Sequence, residues 1–119
     1  MQNYQHLDYH IVDGGSKDAT LNILGSLDKP SISWCSEKDS GQANAINKGF
    51  RKTKGDIMAY INSDDMLLPG SLHYVAGFFF KNPKIDVVYG HRIIIDENDF
   101  EIGRWVMPRH DNEVLKWVD

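Results

Sequence analysis

The run Ile57-Met58-Ala59-Tyr60-Ile61 ends in Asn62-Ser63-Asp64-Asp65. An apolar stretch long enough for a strand buried on both faces therefore stops at two adjacent carboxylates. Continuous apolar runs of this kind belong to parallel sheets covered by helices on either side. A second run behaves alike: Tyr9-His10-Ile11-Val12 leads into Asp13-Gly14-Gly15-Ser16. In an open α/β sheet, ligands bind beyond the carboxyl ends of the strands. Two strands delivering acids to that edge point to a metal-assisted site for a phosphorylated ligand.

The remaining pattern alternates strand and helix, with no repeat and no low-complexity linker. Residues 9–13 read as a strand and Gly14-Gly15-Ser16 as a turn. Ser16 or Asp18 is placed to cap a helix with Leu21, Leu24 and Leu27 on one face. Pro30 punctuates, residues 32–36 form a short strand, and 37–40 are a polar loop with Ser40 as N-cap. The next helix runs to about Lys54, with Ala43, Ile46 and Phe50 at helical spacing and Gly55 just past its end. Residues 57–61 supply a third parallel strand. Pro69 suits the first turn of a helix running to about Lys81, which Asn82-Pro83 ends. Residues 87–89 and 92–95 read as strands, or as one strand bent at Gly90. With a turn at 96–99 and a strand at 100–106, they predict an antiparallel ribbon. A final helix is expected from near Asp111. The sum is an α/β domain with a mainly parallel sheet and a C-terminal β-ribbon.

At 119 residues the chain holds one domain at most. With 41% hydrophobic and 25% charged residues it has an ordinary soluble composition. A net charge of −4 argues against nucleic acid, which calls for clustered excess Lys and Arg. The basic stretch from Lys48 to Lys54 is interrupted by Gly49, Phe50 and Thr53, so it reads as a solvated helix face. Cys35 is the single cysteine, which forbids an intrachain disulfide and fits a reducing, cytoplasmic setting. It reads as a small buried hydrophobe. No signal-peptide segment is visible, and no apolar run approaches the ~20 residues of a membrane span. The five histidines form no metal set: His6 and His10 are four apart, but His10 starts a strand.

The carboxylates carry the chemistry. Asp64 and Asp65 at a strand end can hold Mg²⁺ or Mn²⁺ by one or two oxygens, with water and substrate phosphates filling the other sites. The same pair in isolation also suits a turn or a helix cap. Asp13, followed by two glycines, can accept hydrogen bonds from a base or ribose, or simply form an Asp-Gly turn. Residues 41–49 are odd as a helix, with two glycines and two asparagines. Asn47 lies next to Ile46, near the apolar face, where a buried amide needs partners. It serves there as a ligand contact or as a tie between helix and loop.

In order, Ile11–Thr20 (Ile-Val-Asp-Gly-Gly-Ser-x-Asp-x-Thr), Ser36–Gly49 (Ser-Glu-x-Asp-x-Gly-Gln-x-x-Ala-x-Asn-x-Gly), Gly55–Gly70 (Gly-Asp-Ile, then Asn-Ser-Asp-Asp-x-x-Leu-Pro-Gly) and Asp86–Gly90 (Asp-Val-Val-Tyr-Gly) resemble family 2 glycosyltransferases of the GT-A fold. The resemblance implies a Rossmann-like nucleotide-diphospho-sugar transferase fold over a single partial domain, 1–119. It implies transfer of a sugar from a nucleotide diphosphate, first of all a UDP-sugar, to a hydroxyl of a saccharide or lipid-linked acceptor, with inversion. Cell-envelope polysaccharide synthesis at the cytoplasmic side, peripheral to the membrane, is the implied setting. On this reading Asp13 matches the acid at the nucleotide base. Asp13, Asn47 and Asp64 contact the donor, and Asp64 and Asp65 hold Mg²⁺ or Mn²⁺. The family's DxD-type motif here has Asn62 in place of its first acid.

The same resemblance implies missing parts. The family's domain opens with a strand and helix that this chain lacks, residues 1–7 matching the exit from that helix. The acceptor-side base is expected beyond Asp119; Asp111 and Glu113 are nearby acids that nothing marks for the role. Loss of a central strand bares the edges of its neighbours. A buried backbone group left unpaired costs about 1–3 kcal/mol. A homodimer through those edges, or a repaired sheet, is therefore expected, with little or no turnover by the chain alone. A non-catalytic nucleotide- or metal-binding module is the alternative. A hydrolase using strand-end aspartates is a third class, which the order of the blocks does not suggest.

Overall fold

The computed structural model describes residues 2–27 and 29–109, in two units, 1–81 and 82–119. In the first unit, strand β1 (Tyr9–Asp13) pairs in parallel with β2 (Ile32–Ser36), Tyr9 opposite Ile32 and Asp13 opposite Ser36. The crossover between them carries the short helix α1 (Thr20–Gly25). Its Leu24 is the one apolar side chain that is buried among the described residues, at 6% exposure. Leu21 and Leu27, expected on the same face, stay exposed. Asp18 Oδ1 accepts the Thr20 N–H at 2.9 Å, one residue before the Ala19 N-cap. Ser16 caps nothing, because its hydroxyl turns back to Asp13.

Helix α2 (Gln42–Lys52) packs on β1. A Cβ built at Gly49 would lie 3.5 Å from Val12 Cγ2, so the helix sits close to the strand at this turn. The half-buried face is that of Ala45, Ile46, Gly49 and Phe50, whereas Ala43 is exposed. The helix is entered through Gly41 (φ 119°, ψ 171°), a conformation that essentially only glycine adopts, and Ser40 makes no cap. It ends at Lys52, where the Thr53 N–H bonds to the Gly49 carbonyl. Gly55 has no left-handed φ and does not terminate it. Helix α3 (Ser71–Lys81) begins after Gly70 (φ 80°), so Pro69 precedes its first turn. Gln2 braces that start, its Nε2 donating to the Leu67 and Leu68 carbonyls at 3.0 and 2.6 Å.

Residues 57–61 do not form the third parallel strand. An apolar run specifies burial, but a strand exists only with a hydrogen-bonded neighbour, and among the described residues β1 pairs with β2 alone. Tyr9 N–H bonds to Ser31 O, and Glu37 N–H to Asp13 O, so the odd residues of β1 face β2. The N–H and C=O groups of His10 and Val12 therefore point to the open edge. Tyr60 is 62% exposed where burial was expected. The mainly parallel sheet thus reduces to a two-stranded parallel pair and a separate antiparallel one.

In the second unit, β3 (Arg92–Ile95) and β4 (Glu101–Trp105) form the expected antiparallel ribbon, with a bulge between Ile94 and Ile95. Asp96 Oδ1 accepts the N–H groups of Asn98 and Phe100 and shapes the turn. Arg92 lies over Trp105, its opposite residue, 5.8 Å from the ring centroid. Residues 87–89 are not a strand, and Val87 is exposed; no pairing partner lies beside them among the described residues. The helix expected near Asp111 falls outside the described residues.

Candidate functional site

Asp13 closes β1 and is 8% exposed. Its Oδ2 accepts the Gly15 N–H at 3.0 Å, the Ser16 N–H at 2.9 Å and the Ser36 hydroxyl at 2.6 Å. Its Oδ1 accepts the Ser16 hydroxyl. The Ser16 hydroxyl foremost, then the Ser36 hydroxyl and the Ser16 N–H, lower its pKa from 3.8 to about 2 against the opposing effect of burial. Hydrogen bonds to the charged form have this effect because protonation would forfeit them. An ionised carboxylate offers about four acceptor positions. The four bonds already match that number, three at Oδ2 and one at Oδ1, so Oδ1 is the less crowded oxygen. The Asp13-Gly-Gly-Ser segment is thus a turn that Asp13 itself builds, joined across the parallel pair to Ser36.

Gly14 brings a further acid to this edge. A Cβ at Gly14 would meet Asp39 Oδ2 at 2.8 Å, so the missing side chain makes room for that carboxylate. Asp39 Oδ1 accepts the Gly41 N–H at 2.9 Å, which fixes the entry to α2. From the first turn of α2, Gln42 Nε2 donates to Asn62 Oδ1 at 2.7 Å. Asn62 in turn donates through Nδ2 to Asp65 Oδ2 at 2.9 Å, and the Asp65 N–H bonds to the Asn62 carbonyl at 3.2 Å. One chain of contacts therefore links the strand-end turn at Asp13, the start of α2 and the Asn62–Asp65 turn.

The sequence pattern singled out Asp13, Asn47, Asp64 and Asp65 and set Asn62 at the first position of the DxD-type motif, but gave no role to Asp39 or Gln42. Asp39 had a readable signal, an Asp two residues before a Gly, which suits a turn bonded to its own backbone. The Gln42–Asn62 bond spans 20 residues and had none. Asn47 is not near the buried face of α2: it is exposed, beyond the helix's first turn. At 100° per residue, one step from Ile46 carries it off that face. Lys48 bonds instead to the Lys38 carbonyl at 3.1 Å and to Glu37 Oε1 at 3.3 Å, pinning the β2–α2 loop.

Among the described residues, no three His, Cys, Asp or Glu side chains gather to form a closed metal cage. Mg²⁺ and Mn²⁺ need none, since one or two carboxylates with phosphate and water suffice. Asp64 and Asp65 fit such a half-site. Both are exposed, and the Asn62 amide occupies Oδ2 of Asp65 and leaves Oδ1 to a cation. No helix among the described residues is long and apolar enough to cross a membrane.

The sequence model of glycosyl transferase family 2 matches residues 1–116. An uncharacterized glycosyltransferase of Nostoc sp. is 29% identical over 106 residues, covering 87% of this chain and 33% of the relative. One from Rickettsia felis is 28% identical over 111 residues, 90% of this chain and 18% of the relative. One from Haemophilus influenzae is 29% identical over 84 residues, 68% and 34% respectively. The chain thus spans about a third or less of the length of these relatives. No solved structure matches it.

Proposed function

Because the chain belongs to glycosyl transferase family 2, we propose that it forms the donor-binding part of an inverting transferase that moves a sugar from a nucleotide diphosphate, first of all UDP, to an acceptor hydroxyl. The observation that supports this reading is the chain of contacts from Asp13 through Asp39, Gly41, Gln42 and Asn62 to Asp65. On this reading, one network joins the acid proposed for the nucleoside, Asp13, to one proposed for the diphosphate, Asp65.

On this proposal, Asp13 turns its less crowded oxygen, Oδ1, toward an N–H of the base. Ser16 and Ser36 keep that carboxylate ionised and fixed, so it accepts without reorganising. Asp64 contacts the ribose and shares with Asp65 a Mg²⁺ or Mn²⁺ ion on the diphosphate. Such an ion, when bound, neutralises the diphosphate and stabilises it as it leaves. Asn62 and Gln42 hold the Asp65 turn against α2 and so set the distance between acid and phosphates. Asn47 lies on the exposed side of α2, where it can reach a donor only from solvent. The acceptor is a saccharide or lipid-linked hydroxyl. A general base must deprotonate that hydroxyl, and none of the residues named here is assigned that role. Placement at the cytoplasmic side, peripheral to the membrane, and a place in cell-envelope polysaccharide synthesis belong to the same proposal.

Among the described residues, the edge of β1 away from β2 and the 57–61 run lie outside any further strand pair, which supports self-association through sheet edges. Sedimentation over a concentration series should show mass rising with concentration, and a strictly monomeric species would remove this part. Calorimetric titration with UDP tests the donor site. Binding is expected to strengthen with Mn²⁺, and that metal-dependent gain should be lost in Asp65→Ala; binding that ignores both changes would defeat the proposal.

A further inference from the structure

His10, Ser33 and Cys35 form a polar cluster that the donor site does not use. The register sets His10 opposite Ser33 and Val12 opposite Cys35, so these side chains share one face of the parallel pair. His10 Nδ1 lies 2.8 Å from Ser33 Oγ, and His10 Nε2 lies 3.4 Å from Cys35 Sγ. Cys35 is thus neither fully buried nor packed as a plain hydrophobe: it is partly exposed and faces an imidazole. With Nδ1–H donating to Ser33 Oγ, Nε2 is left as the acceptor facing the thiol. A nucleophile, a base within hydrogen-bond reach and a third group orienting that base are the recurring parts of an activated thiol.

We infer that Cys35 is a thiolation site, reacting with small-molecule disulfides such as oxidised glutathione. His10 Nε2 takes the S–H proton, and the thiolate attacks one sulfur of the disulfide. A new S–S bond forms to Cys35 as the old one breaks, and the departing thiolate recovers the proton from His10. One disulfide and one thiol are consumed and one of each is formed. The chain holds a single cysteine, so no second thiol of its own can resolve the adduct. The mixed disulfide persists until an external thiol releases it. It sits one residue before Ser36, which bonds to Asp13 at the donor site.

Intact-mass kinetics with oxidised glutathione test this directly. The native chain should gain a single adduct, faster than the same chain unfolded in urea, where Cys35 has no fixed neighbour. His10→Asn should slow the native reaction at least about tenfold, the low end of what a positioned base contributes, and Ser33→Ala by less. A native rate no greater than the unfolded rate overturns the inference, as does a folded His10→Asn that reacts like the parent. If circular dichroism shows His10→Asn unfolded, the native-against-unfolded comparison and Ser33→Ala decide.

Discussion

The same substitution at Gly41, just before α2, and at Gly49, inside it, should move stability in opposite directions. Gly41 enters the helix at φ 119° and ψ 171°. Apart from its chain neighbours, no atom of the described residues lies within 4 Å of a Cβ built there, so a change to alanine acts on the backbone alone. That region is essentially closed to other residues, and occupying it costs about 1–3 kcal/mol. Gly49 lies in the helix interior, where a Cβ would touch Val12 Cγ2 at 3.5 Å, an ordinary contact. There alanine relieves the entropy cost of glycine and gains about 0.5–1 kcal/mol. Urea unfolding of the full chain reads both. With a slope of about 1–3 kcal/mol/M, Gly41→Ala should lower the midpoint and Gly49→Ala raise it, each by a measurable fraction of 1 M or more. An unchanged midpoint for Gly41→Ala would refute the entry to α2 described here. A loss of stability in Gly49→Ala would refute the spacing between α2 and β1.

Asn62→Ala removes the bonds to both Gln42 and Asp65. UDP affinity in the presence of Mn²⁺ should fall about fivefold, the equivalent of one hydrogen bond of about 1 kcal/mol; calorimetry showing no change would take Asn62 out of the site. Asp13 predicts an acid limb. Its pKa is lowered from 3.8 to about 2 in the folded chain, so its contribution to stability is present above pH 3.8 and is lost as pH falls through about 2. Urea midpoints measured across that window should fall in the parent, and the part due to Asp13 should be missing in Asp13→Asn. Equal slopes in the two proteins would contradict the bonding described for this carboxylate.

What was legible in the sequence was local. Residues 9–13 and 32–36 form strands as their apolar runs and turn residues predict, and the Asp96–Asp99 turn places the ribbon. The acids at the end of β1 and in the Asn62–Asp65 turn also stand out, because Asp-Gly and Asp-Asp interrupt apolar runs. Pairing was not legible. Residues 57–61 have the composition of a buried strand, yet composition does not supply the neighbour that makes one. Caps were misplaced by a residue or more, since Ser16 and Ser40 have capping chemistry but the backbone freedom lies at Gly41. Helical phase misled at Asn47, where one residue decides between a buried and an exposed face. Gln42 and Asn62 meet across the fold, so neither segment read alone reports their bond.

The most direct test of the donor-site account is electron paramagnetic resonance of Mn²⁺ titrated with the chain and UDP. The signal of free Mn²⁺ in a Mn²⁺–UDP mixture should drop further when the chain is added, and the drop should vanish in Asp65→Ala. A signal that the chain leaves unchanged, or a drop that survives loss of Asp65, would contradict the assignment of this edge to a metal-bound nucleoside diphosphate.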